Sequence, residues 1–167
     1  MSGRIAGLAL AAFVLVADQL VKYAMIGPLQ LKSRGVIHLL PVFDLTWAEN
    51  RGVSMGLLTA DSETGRWLLV ALTGALALAV FVWMLRETKR GDILALGLIL
   101  GGAIGNIIDR VRFGYVVDYA DFHIGAIRPF FIFNLADAAI TIGVVILLAR
   151  AMFVREKTAN STETENA

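Results

Sequence analysis

The fold class of the chain follows from residues 67–85, which read WLLVALTGALALAVFVWML and contain no charged side chain. A helix rises about 1.5 Å per residue, so this run is long enough to cross a hydrocarbon core of about 30 Å. A lone strand would leave its backbone polar groups unpaired in lipid, whereas a helix pairs them internally. The run is therefore predicted to be a transmembrane helix.

Three further apolar runs of similar length occupy residues 5–26, 93–111 and 135–153. Hydrophobic residues make up 57% of the 167 residues and charged residues 17%, against about 45–50% and 25% in ordinary globular chains. We expect an all-α membrane protein with four transmembrane helices, residues 1–154 forming a single integral domain. The polar tail, residues 155–167, has no apolar periodicity and is expected to be disordered. The formal net charge of +1 gives no indication of nucleic-acid binding.

The orientation in the membrane is predicted from the distribution of cations. Lys and Arg are evenly divided between the two sides, but the short connection 86–91 concentrates three of them, at Arg86, Lys89 and Arg90. Short cation-rich loops stay in the cytoplasm, so both termini are expected there and segments 27–66 and 112–133 outside. The start of the chain also has the form of a secretory signal peptide. Its continuation through Asp18 and Lys22 into further apolar sequence favours a retained helix.

The first external segment contains an apolar stretch, residues 36–47, that is too short to span a membrane. Within it Phe43, Leu45 and Trp47 alternate with other residues, and period two with aromatic side chains indicates strands. Asn50 and Gly52 add turn chemistry. We expect a small extracytoplasmic β-sheet or hairpin.

Glycines recur at four-residue spacing in the third predicted helix, at Gly97, Gly101 and Gly105. Small residues four apart form a face on which another helix backbone can approach closely in lipid. The spacing therefore predicts helix packing on this face.

Polar side chains inside membrane helices cost about 2.5–3.5 kcal/mol each on insertion scales, so each one needs a reason. Because successive helices alternate in direction, the polar residues of three predicted helices fall at the same end. These are Asp18 and Lys22 of the first helix, Asn106, Asp109 and Arg110 of the third, and Asn134 and Asp137 of the fourth.

Spacing suggests how these residues are used. Asp18 and Lys22 are four apart and are expected to form a structural ion pair. Asp109 is expected to anchor the following loop or to pair with Arg110. Asp118, in the second external segment, and Asp137 remain as surplus carboxylates.

Two carboxyl groups that approach each other at the lipid boundary cannot both stay ionised, so they come to share a proton. That state suits hydrolysis, because one group takes a proton from water while the other donates to a carbonyl. Paired intramembrane carboxylates also build small ion or proton carriers, and the residues alone leave both functions open.

Other chemistries have weaker support in the sequence. The chain has no cysteine, which removes thiolate chemistry. Ser54 lacks the Gly-x-Ser-x-Gly context of a nucleophile elbow. A purely structural subunit leaves the surplus carboxylates unexplained. A serine nucleophile would use Ser54 with Lys22, His38 or His123. A metal site would use Asp118, Asp121 and His123.

The same residues carry a resemblance that covers nearly the whole chain. The motifs are Asp18-x-x-x-Lys22, Asn50-Arg51-Gly52-Val53-Ser54, Gly101-Gly102-Ala103-Ile104-Gly105-Asn106-Ile107-Ile108-Asp109-Arg110, Val116-Val117-Asp118-Tyr119 and Phe133-Asn134-Leu135-Ala136-Asp137. In this order they resemble bacterial lipoprotein signal peptidase, also called signal peptidase II. One departure is Met55, where an aromatic residue is common in the family.

The resemblance implies a metal-free aspartyl endopeptidase of the bacterial inner membrane, with its active site at the periplasmic face and no cofactor. Its substrates would be prolipoproteins that carry a diacylglyceryl group on a cysteine, and the cut would fall before that cysteine. The enzyme would act as a monomer among membrane lipids. Asp118 and Asp137 would be catalytic. The implied binding or supporting residues are Asn50, Gly52, Asn106, Asp109, Arg110, Asn134, Ala136, Asp18 and Lys22.

Overall fold

Four long apolar helices dominate the part of the chain described by the computed structural model, which covers residues 3–52, 63–125 and 127–165, with side chains to residue 152. They are α1 (Gly3–Ile26), α3 (Glu63–Arg86), α4 (Arg90–Phe113) and α5 (Leu135–Glu165), and a one-turn helix, α2 (Leu31–Arg34), follows α1. Each long helix contains a stretch apolar enough to cross a membrane, which in α5 is Leu135–Met152. The predicted four-span architecture is therefore confirmed.

Helix α4 packs between α1 and α5 through its glycines. A Cβ atom on Gly97 would lie 2.5 Å from the Gly7 carbonyl oxygen of α1, and one on Gly102 would lie 2.5 Å from the Ala136 carbonyl oxygen of α5. Such distances leave no room for a side chain. The predicted close approach is confirmed, and it involves two faces of α4 because Gly101 and Gly102 contact different helices.

The sheet has three antiparallel strands in the order β1 (Val36–Leu40), β2 (Phe43–Asn50) and β3 (Val116–Phe122). The β1–β2 hairpin confirms the predicted strands of the first external segment. Strand β3 comes from the second external segment and was not predicted. Because nearly all of its side chains are buried, it lacks the period-two alternation that marks a half-exposed strand. In the β2–β3 register Ala48 lies opposite Asp118, which brings the end of β2 to this carboxylate.

The last helix is longer than the predicted span, since α5 runs from Leu135 to Glu165. Neither glycine nor proline occurs after Gly143, so the sequence contains no residue that would force the helix to end.

Candidate active site

A buried ion triad joins α1 to α4 at one end of the bundle. Lys22 Nζ lies 2.9 Å from Asp18 Oδ2 and 2.8 Å from Asp109 Oδ2, and all three side chains are almost completely buried. The predicted Asp18–Lys22 pair is confirmed. Asp109 pairs with this lysine across the helices, a contact that spacing along the sequence did not predict.

The two carboxylates of the triad also hold neighbouring backbone segments. Asp109 Oδ2 accepts a hydrogen bond from the Val117 backbone N–H of β3 at 3.1 Å, which confirms that Asp109 anchors the following loop. Asp18 Oδ1 accepts a hydrogen bond from the backbone N–H of the buried Ala136 at 3.1 Å. The triad therefore fixes the start of β3 and the start of α5, the two segments that carry Asp118 and Asp137.

Asn106 connects the triad to Asp137. Its Oδ1 accepts hydrogen bonds from Lys22 Nζ at 3.1 Å and from Asn134 Nδ2 at 3.2 Å. Because two donors occupy its oxygen, its amide nitrogen is oriented as the donor and reaches Asp137 Oδ1 at 2.8 Å. The orientation of Asp137 is therefore set by a chain of contacts that begins at the buried lysine.

Asn134 contacts both surplus carboxylates. Its Nδ2 donates to Asp118 Oδ1 at 2.6 Å, and its backbone N–H donates to Asp137 Oδ2 at 3.3 Å. In return the Asp137 N–H donates to Asn134 Oδ1 at 2.9 Å. This reciprocal arrangement is a capping box at the start of α5, with Asn134 at the cap and Asp137 three residues on. The asparagine that begins the helix therefore also joins the two carboxyl groups.

Asp118 lies in β3, outside the membrane spans, and is only 3% exposed. Burial and the nearby charge of Asp137 raise the pKa of Asp118 to about 6, despite opposing hydrogen bonds from Asn134 and Asn50. Asp118 therefore remains protonated at a pH where an ordinary aspartate is ionised.

Asn50 and Gly52 complete the site from the end of β2. Asn50 hydrogen-bonds the Asp118 carboxyl group, and its Oδ1 accepts a hydrogen bond from the Gly52 N–H at 3.0 Å. Gly52 has φ +107°, a backbone conformation that side chains disfavour, which explains glycine there. Ser54 and Met55 lie outside the described residues.

Arg110 extends from α4 toward the same carboxylates. It lies within electrostatic range of Asp118 and Asp137, and its Nη1 lies 3.5 Å from the Asn106 carbonyl oxygen. Its Nε is buried and makes no hydrogen bond with any described residue. Arg66 was not among the predicted site residues. Its Nε donates to the Arg110 carbonyl oxygen at 2.7 Å and so holds α3 against the end of α4.

The residues of the alternative metal site have other partners. Asp121 Oδ1 accepts a hydrogen bond from Arg128 Nε at 3.0 Å, and its Oδ2 accepts one from the Thr46 hydroxyl. His123 Nε2 lies 3.1 Å from Asp44 Oδ2 rather than beside Asp118. Among the side chains of residues 3–52, 63–125 and 127–152, no group of three or more His, Cys, Asp or Glu residues is arranged to hold a metal ion.

The fold and the site define a four-helix membrane protein with buried carboxyl and amide groups gathered at one end of the bundle. A family model described as Signal peptidase (SPase) II matches residues 10–153. The chain therefore belongs to the signal peptidase II family, which makes it a bacterial membrane peptidase and confirms the resemblance seen in its motifs.

Curated relatives and solved structures agree with this assignment. The lipoprotein signal peptidase of Sphingopyxis alaskensis is 56% identical over 151 residues, which cover 90% of this chain and 87% of the relative. That of Rhizorhabdus wittichii is 57% identical over 150 residues, with the same coverage. A bacterial membrane enzyme solved by the in meso method at 1.9 Å resolution is 28% identical with a TM-score of 0.74, covering 87% of this chain and 92% of the other.

Proposed function

We propose that the chain is an aspartyl endopeptidase that removes the signal peptide from diacylglyceryl-modified prolipoproteins, cutting before the lipidated cysteine. Asp118 and Asp137 are the catalytic pair. The observation that carries the proposal is that both carboxyl groups hydrogen-bond the same residue, Asn134, where the helix bundle meets the sheet. The curated relatives named lipoprotein signal peptidase support the choice of substrate.

The environments of the two carboxyl groups suit different roles. Asp118, with a pKa raised to about 6, is the group that carries the shared proton. Asp137 accepts N–H hydrogen bonds on both oxygens, from Asn106 and Asn134, and lies in the first turn of α5, where the helix dipole favours an anion. Asp137 is therefore assigned as the base and Asp118 as the acid.

In the proposed reaction, Asp137 takes a proton from water as the water oxygen attacks the scissile carbonyl carbon. Asp118 donates its proton to the carbonyl oxygen, which gives a neutral tetrahedral intermediate. On collapse, the hydroxyl proton returns to Asp118 and Asp137 passes its proton to the departing nitrogen, so the C–N bond breaks and the enzyme is restored. The supporting residues orient this pair, with Asn50 and Gly52 on one side and the triad, Asn106 and Arg110 on the other.

The orientation proposed for the chain places this site at the periplasmic face of the inner membrane. The cation-rich connection between α3 and α4 lies at the opposite end of the bundle and is assigned to the cytoplasm with both termini. A site at the boundary suits the substrate, because the acyl chains stay in lipid while the scissile bond reaches water. The enzyme is proposed to act as a monomer.

An ion or proton carrier would need a polar path across the membrane. Between the candidate site and the other end of the bundle, residues 93–105 of α4 and 138–149 of α5 contain no ionisable side chain. At about 1.5 Å per residue, these stretches are about 20 Å long. The next described ion pair, Arg150 with Asp92, lies beyond them. This distribution favours the peptidase over the carrier.

The proposal is tested by cleavage of a diacylglyceryl-modified precursor, followed by gel mobility. We expect Asp118→Asn and Asp137→Asn each to abolish cleavage while the protein stays folded, because either change removes the acid–base pair. Asp92→Asn, an aspartate at the other end of α4, is the matched control and retains activity. EDTA is expected to leave the rate unchanged. Full activity in either catalytic variant, or an EDTA inhibition that zinc reverses, contradicts the dyad.

A further inference from the structure

Large apolar side chains are exposed at the end of the sheet where β1 turns into β2 and where β3 ends. Their exposed fractions run from 52% at Leu39 to 97% at Phe131. We call this surface the distal apolar patch, and its members are Leu39, Leu40, Ile124, Ile127, Phe130 and Phe131. Contiguous exposed apolar surface of this kind marks an interaction site.

Specific contacts hold the two parts of the patch together. The His123 N–H donates to the Val42 carbonyl oxygen at 3.0 Å, which joins the loop after β3 to the β1–β2 turn. Ile124 and Ile127 exchange backbone hydrogen bonds of 2.9 and 3.1 Å. The rings of Phe122 and Phe130 lie 6.3 Å apart. Backbone hydrogen bonds and a ring contact therefore hold the described parts of the patch together.

The patch lies close to the end of the helix bundle that carries the candidate site. The Phe133 N–H donates to the Ala120 carbonyl oxygen at 3.1 Å, and the Leu135 N–H donates to the Tyr119 hydroxyl at 3.1 Å, which fixes β3 beside the start of α5. Phe131 precedes α5 by four residues, and an extended chain of that length spans at most about 14 Å. The patch therefore cannot lie far from the lipid around the helices.

The charge at the patch is also suited to a lipid surface. Arg128 lies between Ile127 and Phe130 in the sequence, and 60% of its side chain is exposed although its Nε pairs with Asp121. A long cationic side chain beside apolar residues can place its stem along the acyl boundary and its head among phosphates. If the patch faced water instead, the neighbouring phenylalanine and isoleucine side chains would stay exposed, at a cost in free energy proportional to their apolar area.

We propose that the distal apolar patch inserts into the lipid leaflet that borders the candidate site. The sheet then has two supports, the helix bundle at the Asp118 end and the bilayer at the other. Because Asp118 lies on the same strand that leads to the patch, insertion fixes the height of this carboxyl group relative to the lipid surface. The partner is a phospholipid bilayer, and anionic headgroups strengthen the contact through Arg128.

The test uses the full chain in phospholipid vesicles without substrate. Since the chain has no cysteine, Ile127→Cys and Phe131→Cys can each carry a single spin label. Leu76→Cys, on the exposed face of α3, gives the reference accessibility of a label in lipid. Thr88→Cys, in the α3–α4 connection, gives the reference accessibility of a label in water. We expect both patch labels to collide with oxygen and not with a water-soluble nickel chelate, at a depth of about 5–10 Å below the phosphates.

Two results would overturn the proposal directly. Nickel accessibility equal to that at Thr88 would place the patch in water. Low accessibility to both reagents would indicate cover by a second copy of the chain. In a further variant, Phe131→Asp is expected to move the label at Ile127 toward water, whereas Phe131→Leu preserves its depth. Should Phe131→Asp not fold, Leu40→Asp replaces it, and an unchanged label depth in a folded variant contradicts insertion.

Discussion

Replacing Asp118 with asparagine is expected to stabilise the protein at neutral and alkaline pH. The folded protein raises the pKa of this carboxyl group from 3.8 to about 6, chiefly by burial and then by the charge of Asp137. The proton is therefore bound more tightly in the folded state than in the unfolded state. Stability contributed by this group is present below pH 4 and is lost as the pH rises to 6 and above. Asparagine has no proton to lose, so the variant escapes this loss.

The size of the effect follows from the shift. A rise of about two pKa units corresponds to about 3 kcal/mol in the free energy of unfolding, at about 1.4 kcal/mol per unit. The difference between Asp118→Asn and wild type should therefore grow by about 2–3 kcal/mol between pH 4 and pH 8. The assay is a denaturant titration in detergent micelles at several pH values, followed by tryptophan fluorescence.

Asp44→Asn is a control with the opposite sign. Burial acts to raise the pKa of Asp44, but hydrogen bonds and charge from His38 and His123 outweigh it and lower the pKa below the ordinary value. This carboxylate is favoured in the folded state, so its removal should cost stability above pH 4. The raised pKa of Asp118 would be refuted if the difference in free energy of unfolding between Asp118→Asn and wild type does not change with pH, or falls as the pH rises.

Two further predictions concern the buried contacts of the bundle. Lys22→Met should lower the free energy of unfolding by about 3–5 kcal/mol, because it leaves two buried carboxylates without their cation. Adding Asp18→Asn and Asp109→Asn to it should recover much of the loss, and failure of the triple variant to do so would mean that the lysine acts through packing instead. Gly102→Ala should cost about 1–3 kcal/mol, since its Cβ would meet the Ala136 carbonyl oxygen at 2.5 Å. Gly74→Ala, where nothing lies within 4 Å, is the matched control, and equal titration midpoints for the two would contradict the packing argument.

The sequence was sufficient for features that depend on length, polarity or spacing along one helix. The four spans followed from apolar runs, since lipid admits few alternatives to a helix. The gathering of polar residues at one end followed from the alternation of helix direction. Asn134 and Asp137 lie three residues apart at the predicted start of the fourth helix, which is the spacing of the capping box found there.

Features that depend on contacts between distant segments could not be predicted. Lys22 was paired with Asp18 alone, because the approach of Asp109 requires the packing of α1 against α4. Strand β3 carries no alternation, since both of its faces are covered. Arg66 precedes the apolar run of α3, and nothing in its sequence context indicates that it reaches the end of α4. In each case the partner lies more than forty residues away along the chain.

The charges within the site distinguish the carboxylates of the ion triad from the proposed catalytic pair. Lys22 forms ion pairs with Asp18 and Asp109, and these two carboxylates also accept backbone hydrogen bonds. Asp118 and Asp137 accept hydrogen bonds from amide N–H groups, and no described lysine or arginine forms an ion pair with either. A fold selected for stability alone would not keep a carboxyl group whose ionisation it opposes, because an asparagine would satisfy the same neighbours at lower cost. The retention of an acid at Asp118 is therefore itself an argument that its proton is used.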